Sequence, residues 1–257
     1  MKSTITIIAL FASLFTIAKT NSASSYEIQG KEWYEKRAEG SLGNEAKAEP
    51  INKAIAFYEK AMSIAPTEAN TIMLLRCYYF KGSFVNLKSE ERKSIFDKGK
   101  NLGEVMQKQY PKSAGIKYWL AAHYGKWSKE YGVFAAAKEG VADKVKELSE
   151  EVIKLDATYN DGGGYLVLGL VHFHSPRIPF LLSWPSNTVA LENLQKAVKA
   201  APTIGNTFCL GKAYLKEGKK DLGVALLKKA AAMQPRAEKL VEDRDILKQI
   251  DEVLKNA

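Results

Sequence analysis

The sequence predicts an all-α protein built as a stack of helical hairpins, with long insertions between the paired helices and a capping helix at the C terminus. Three observations predict it. The stretch from Leu210 to Pro235 places Leu210, Gly211, Tyr214, Gly218, Gly223, Leu227, Ala230 and Pro235 at the spacings of two helices folded back around a tight turn. Its second half recurs with the same intervals as Ala190, Leu194, Ala197 and Pro202, and again as Ala54, Tyr58, Ala61 and Pro66. Its first half recurs as Leu75 with Tyr79, Leu120 with Tyr124 and Leu168 with His172, although Arg76 stands where the pattern has a small residue.

Each position in the unit has a physical task. Leu210 and Tyr214 lie four apart and share one face of the first helix. Gly211 and Gly223 let the two backbones approach, Gly218 permits the turn, and Pro235 stops the second helix.

In chain order, Ser24 to Gly40 is helical in character but has no firm place on the repeat, and Ser41 to Pro50 reads as a connector. Ile51 to Ala65 is the first clear second helix. The following hairpins pair Glu68–Lys81 with a helix inside Ser89–Tyr110, Ser113–Lys126 with Val141–Leu155, and Gly163–His174 with Asn187–Ala200. Gly99 and Gly103 predict unusually close packing of the helix that carries them. After the Leu210 unit, Ala237 to Lys255 reads as a charged amphipathic helix that covers the last hairpin. The leucine anchors Leu75, Leu120, Leu168 and Leu210 are 45, 48 and 42 residues apart, longer than the roughly 34 of a bare two-helix unit. The excess sits in the turns between paired helices, so the insertions line one edge of the stack.

These spacings resemble the tetratricopeptide repeat. The run Trp127 to Asp156, then Leu168-Gly169, the proline-rich insertion and the Ala190 helix resemble the T-component family of tetratricopeptide-associated TRAP transporters over roughly Ala54 to Leu254. That resemblance implies an exported helical scaffold beside a periplasmic solute-binding subunit, with a hydrophobic or carboxylate ligand in play. It departs from the family in having no cysteine for a lipid anchor near the N terminus. A more distant resemblance links the same region to the regulator of microtubule dynamics proteins, a role that the export signal argues against.

Composition agrees with a folded, exported chain. The 257 residues are 46% hydrophobic and 26% charged, outside the disordered class. Lys2, the apolar run from Ile5 to Ile17 and Asn21-Ser22-Ala23 read as a signal peptide over residues 1–23, leaving a repeat domain over residues 24–257 and a periplasmic destination. The formal charge of +9 falls to +7 when Lys2 and Lys19 leave with the signal, which favours acidic partners or a peripheral membrane contact. No nucleic-acid module is present. Cys77 and Cys209, in separate hairpins, read as two buried thiols, with a disulfide as the other outcome.

In such a stack the first helix of each hairpin lines the concave surface. Six residues past the leucine anchors come Lys81, Lys126, His174 and Lys216, a basic ladder joined by Lys212. Beside it lie Tyr118, Leu166, Leu170, Phe173 and Phe208. Together they predict a groove for a protein partner or an amphipathic anionic ligand, with a periplasmic carrier of a lipid or hydrophobic carboxylate, or a general cell-envelope assembly factor, as the alternatives, against the plainer outcome of solvated cations complementing helix ends. The insertion edge carries Phe134, Phe180, Leu181 and Trp184, set either to fold back as a lid or to meet a partner. His172 and His174 diverge on their helix, and His172 holds an aromatic core position, so neither is assigned a metal. Asp161-Gly162-Gly163-Gly164 reads as a cap with close-packing glycines and lacks the P-loop lysine. The sequence shows no arrangement of nucleophile and base, no paired carboxylates and no cofactor motif, which points to a non-enzymatic scaffold.

Overall fold

The structure, a computed structural model, describes residues 23–177 and 182–256. The segment read as a signal peptide therefore lies outside the described residues apart from Ala23, as do Phe180 and Leu181 of the insertion edge. Among the described residues twelve helices follow one another: α1 (residues 23–35), α2 (Ala48–Ile64), α3 (Glu68–Phe84), α4 (Ser89–Gln109), α5 (Ala114–Tyr131), α6 (Val133–Lys138), α7 (Val141–Leu155), α8 (Tyr159–His174), α9 (Asn187–Ala200), α10 (Ile204–Lys216), α11 (Lys220–Ala231) and α12 (Leu240–Lys255). Single 3-10 turns at Lys36–Ala38 and Ala237–Lys239 extend α1 and precede α12. α1 pairs with α2, with Gly30 under the ring of Tyr58, so the N-terminal segment is the first helix of the first hairpin.

Two helix starts share one device. Pro66 and Pro202 follow α2 and α9, and Thr67 and Thr203 then accept the N–H groups of Asn70 and Asn206 at 3.2 and 3.1 Å. The Asn70 and Asn206 side chains reach back to the carbonyls of Ala65 and Ala201 at 3.1 and 2.8 Å, tying each hairpin to the one before.

A second recurring bond sets the register between hairpins. Tyr78 donates to Glu59 at 2.7 Å, Tyr124 donates to Glu104, and Gln195 donates to the Tyr214 hydroxyl at 2.7 Å. Each partner directly follows the large-residue position of a second helix, at Tyr58, Gly103 and Leu194. The repeat aromatic of α3 is therefore Tyr78 with Leu74, one residue before the expected Leu75 and Tyr79. The doublets Leu74-Leu75 and Tyr78-Tyr79 satisfy the spacing of four in either register; both leucines are buried, and the bond to Glu59 selects Tyr78, which is 5% exposed while Tyr79 is half-buried.

The small residues act as expected from their positions. A side chain on Gly211 would meet Leu227 and the Gly223 carbonyl, and one on Gly169 would meet Leu194. Gly103 faces Leu120 in the same way, and Gly99 faces the ring of His123. The second and third insertions are largely helical. Only residues 85–88 separate α3 from α4, so the second insertion mostly lengthens α4, while the third extends α5 to Tyr131 and adds α6. The chain crosses Asn160, Asp161 and Gly162 with φ of 48, 63 and 75° before α8 proper. Asp161 does not cap that helix, because its left-handed backbone turns its carboxylate to Arg236, 2.8 Å away. The glycines pack closely as read: Gly163 sits on Tyr118 and Gly164 on Val152.

Candidate functional site

α12 lies against both the last hairpin and the first. The second half of α12 packs Ile246, Leu247, Ile250, Val253 and Leu254 with Ile204, Phe208, Leu227 and Ala230 of the last hairpin. This is the end cap that the sequence predicts. The first half reaches the opposite end of the chain. Val241 is fully buried in the same cluster as Tyr34, Tyr58 and Phe80. Arg37 donates to the Tyr34 carbonyl at 3.2 Å, to the Glu238 carbonyl and to the Glu242 carboxylate at 3.1 Å, while Asn44 donates to Asp245 at 2.7 Å. Arg236 fixes the entry to α12. It holds the fully buried Asp243 through two side-chain bonds of 2.8 Å and Asp161 through a third. The last helix thus fastens the first hairpin to the last.

The closure leaves a partly open chamber of about 100 Å³. Arg76, Tyr79, Phe80 and Phe84 of α3 form one wall, and Tyr118 and Trp119 of α5 form the next. Tyr34, Asn160, Lys239 and Glu242 complete it. The Arg76 guanidinium lies 4.9 Å from the Tyr34 ring centre and 5.9 Å from that of Trp119. Burial pushes the Lys239 ammonium below the ordinary lysine value; Glu242 opposes this, while Arg76, Arg236 and Arg37 add to it. Burial likewise raises the Tyr34 and Tyr118 hydroxyls.

The residues expected to form the groove separate into different environments. Lys81 leaves the ladder, because the one-residue register change puts Phe80 at that position. Burial lowers the Lys81 pKa first, Lys98 lowers it further, and Glu91 and Glu59 oppose the shift, which places it beside α2 and α4. Tyr118 is buried edge-on to Trp119 at 5.1 Å and walls the chamber. Lys126 stands 5.3 Å over the Tyr79 ring. Leu166, Leu170 and Phe173 are partly buried around Leu194, Leu210 and Ala213, so they serve the contact between hairpins. Phe208 is covered by α12. Lys212 stands 5.3 Å over Phe208, and Lys216 lies 4.4 Å over Phe173 and donates to its carbonyl at 2.6 Å. With His174, whose ring is 4.7 Å from Phe173, these two lysines form one basic margin. Desolvation lowers the His174 pKa, and Lys212 and Lys216 lower it further.

The insertion edge also divides. Trp184 folds back, donating to Asp143 at 2.7 Å and meeting His172 edge-on at 4.8 Å, so it lies over α7 and α8. His172 accepts the Ser186 N–H on Nδ1 at 3.2 Å, which commits it to that turn. Phe134 stays 94% exposed and Val133 64% exposed on α6. Cys77 and Cys209 are free thiols; burial raises both, Cys209 to about 11. Among the described residues no cluster of three or more metal-ligating side chains occurs. No described helix is long and apolar enough to cross a membrane. Trp119, Lys239 and Glu242 carry no signal in the sequence that marks them as wall residues. Arg76 carries one, as a departure from the repeat pattern, but in the register that spacing alone suggests.

The overall course of the helices agrees with a solved structure. The fold is a tetratricopeptide-type helical solenoid. The structure of TTC0263, a thermophilic TPR protein in Thermus thermophilus, superposes with a TM-score of 0.57 at 16% identity, over 80% of this chain and 91% of that one. The MamA protein gives 0.46 at 20% identity over 82% and 91%. Yeast Tom70 gives 0.48 at 14% identity over 92% of this chain and 41% of that one. No protein-family model and no curated protein matches the sequence.

Proposed function

We propose that the chain is a non-enzymatic scaffold that grips a protein partner along the edge formed by α6. The observation that supports this most directly is the exposure of Phe134 and Val133 on a helix that is itself held in place. Ala135 and Ala136 pack against the cluster of Trp127, Val141 and Val145, and Lys100 pairs with Glu139 beside α6 at 2.5 Å. An apolar pair on a fixed support loses little conformational freedom when a partner covers it. The tetratricopeptide-type fold is a frame suited to such contacts. The basic margin of Lys212, His174 and Lys216 suits an acidic segment of the same partner.

The proposal extends to location and context. The N-terminal stretch supports export, with the periplasm as the destination, and the resemblance to TRAP T-components supports an accessory part in solute uptake. Crosslinking the protein in its own cell envelope, followed by capture and mass spectrometry, tests this. One dominant protein captured by the parent and lost with Phe134→Ser is the expected result, and a solute-binding subunit would support the uptake context. Capture unchanged by Phe134→Ser but lost when Lys126 and Lys216 are reversed to Glu would move the partner to the inner face and overturn the α6 reading.

A further inference from the structure

The chamber closed by α12 carries chemistry that the scaffold role does not use. Among the described residues six buried side-chain polar atoms have no hydrogen-bond partner, and three of them, Arg76 Nε, Trp119 Nε1 and Glu242 Oε2, belong to its walls. Buried polar groups are normally paired, and each orphan forfeits free energy unless something in the chamber satisfies it. Trp119 is buried with its indole N–H directed to the Tyr159 hydroxyl, so the orphans that the chamber itself must satisfy are Arg76 Nε and Glu242 Oε2.

The charges are equally uneven. Glu242 gives its Oε1 to Arg37, which leaves Arg76 and Lys239 without a carboxylate partner among the described residues. Two cations thus line a space that one unused carboxylate oxygen also borders. Aromatic side chains, Tyr79 among them, form much of the remaining wall. An anion would satisfy the donors, and a hydroxyl or ammonium on the same molecule would satisfy Glu242. The volume of about 100 Å³ suits a molecule of a few carbons.

We infer that the chamber between α3, α5 and the start of α12 binds a small organic acid that also carries a hydroxyl or amine. The carboxylate lies between Arg76 and Lys239, and the hydroxyl or amine donates to Glu242. Since Lys239 and Glu242 belong to the C-terminal segment, such a ligand bridges the two ends of the chain and stabilises its closure.

The site is tested on the purified protein by tryptophan fluorescence and thermal melting. The probes are 2-hydroxybutyrate, 2-aminobutyrate, butyrate, inorganic phosphate and chloride at constant ionic strength. The expected result is saturable binding of 2-hydroxybutyrate or 2-aminobutyrate, with butyrate weaker by roughly tenfold or more. Arg76→Met removes the response; Lys239→Met, on the half-buried approach to α12, keeps the test informative if Arg76→Met fails to fold. No response to either substituted acid overturns the inference, as does a response that survives both variants. Equal binding of butyrate overturns the assignment to Glu242. A response to phosphate or chloride alone shows an adventitious ion only. The assay contains no partner protein, so its failure leaves the α6 reading standing, and a failed capture experiment leaves the chamber standing.

Discussion

The imidazole of His123 fills the space that a side chain on Gly99 would need, so α4 and α5 meet through a glycine on one helix and a fully buried histidine on the other. The ring is oriented by the Leu75 carbonyl, which accepts from Nε2 at 3.0 Å and so leaves Nδ1 as a lone pair in an apolar pocket. Gly99→Ala gains helix propensity of about 1 kcal/mol, yet overpacking against the ring costs about 1–3 kcal/mol. Urea unfolding should therefore show a net loss of stability. Adding His123→Ala to Gly99→Ala should cost less than His123→Ala costs in the parent.

The same histidine makes stability depend on pH. Burial pushes His123 down to about 4, against a value near 6.5 in the unfolded chain. Between those values the unfolded chain binds a proton that the folded one refuses, so the contribution is complete above about pH 6.5 and lost as pH falls to about 4. Its size is about 3 kcal/mol. Denaturant midpoints across that interval should fall more steeply for the parent than for His123→Leu, and parallel curves would refute the assignment.

The clasp on α12 has one centre. Arg236 compensates the buried Asp243, and removing it leaves that carboxylate without its cation, at a cost of about 3–5 kcal/mol. Arg236→Met should lower the melting temperature and raise amide hydrogen exchange in α12 and in α1 together. Faster exchange in α12 alone would mean that the two ends are not coupled.

The register of α3 is open to a single substitution. Tyr78→Phe removes the bond to Glu59 and should cost about 1 kcal/mol, whereas Tyr79→Phe removes no hydrogen bond between hairpins and should be close to neutral. Equal losses would restore the register that spacing alone suggests.

Local pattern accounts for most of the hairpin architecture. Pro66-Thr67 and Pro202-Thr203 specify where helices stop and start because the physics of an N-cap acts within three residues. Gly211 with Gly223, and Ala190 with Leu194, specify contact faces through helical periodicity. The register of α3 is ambiguous in the sequence because adjacent leucines and adjacent tyrosines satisfy the same interval, and only packing on α2 distinguishes them.

The hairpin unit, its repetition and the helix that ends the stack can thus all be read from the order of residues. Two features become visible only in three dimensions. The last helix also holds the first hairpin, through Arg37 and Glu242 some 205 residues apart, and Arg76, Trp119, Lys239 and Glu242 meet around one chamber. The difference is one of range: caps and helical faces arise from residues a few positions apart, whereas closure depends on the accumulated rotation of successive hairpins, which no short interval in the chain records.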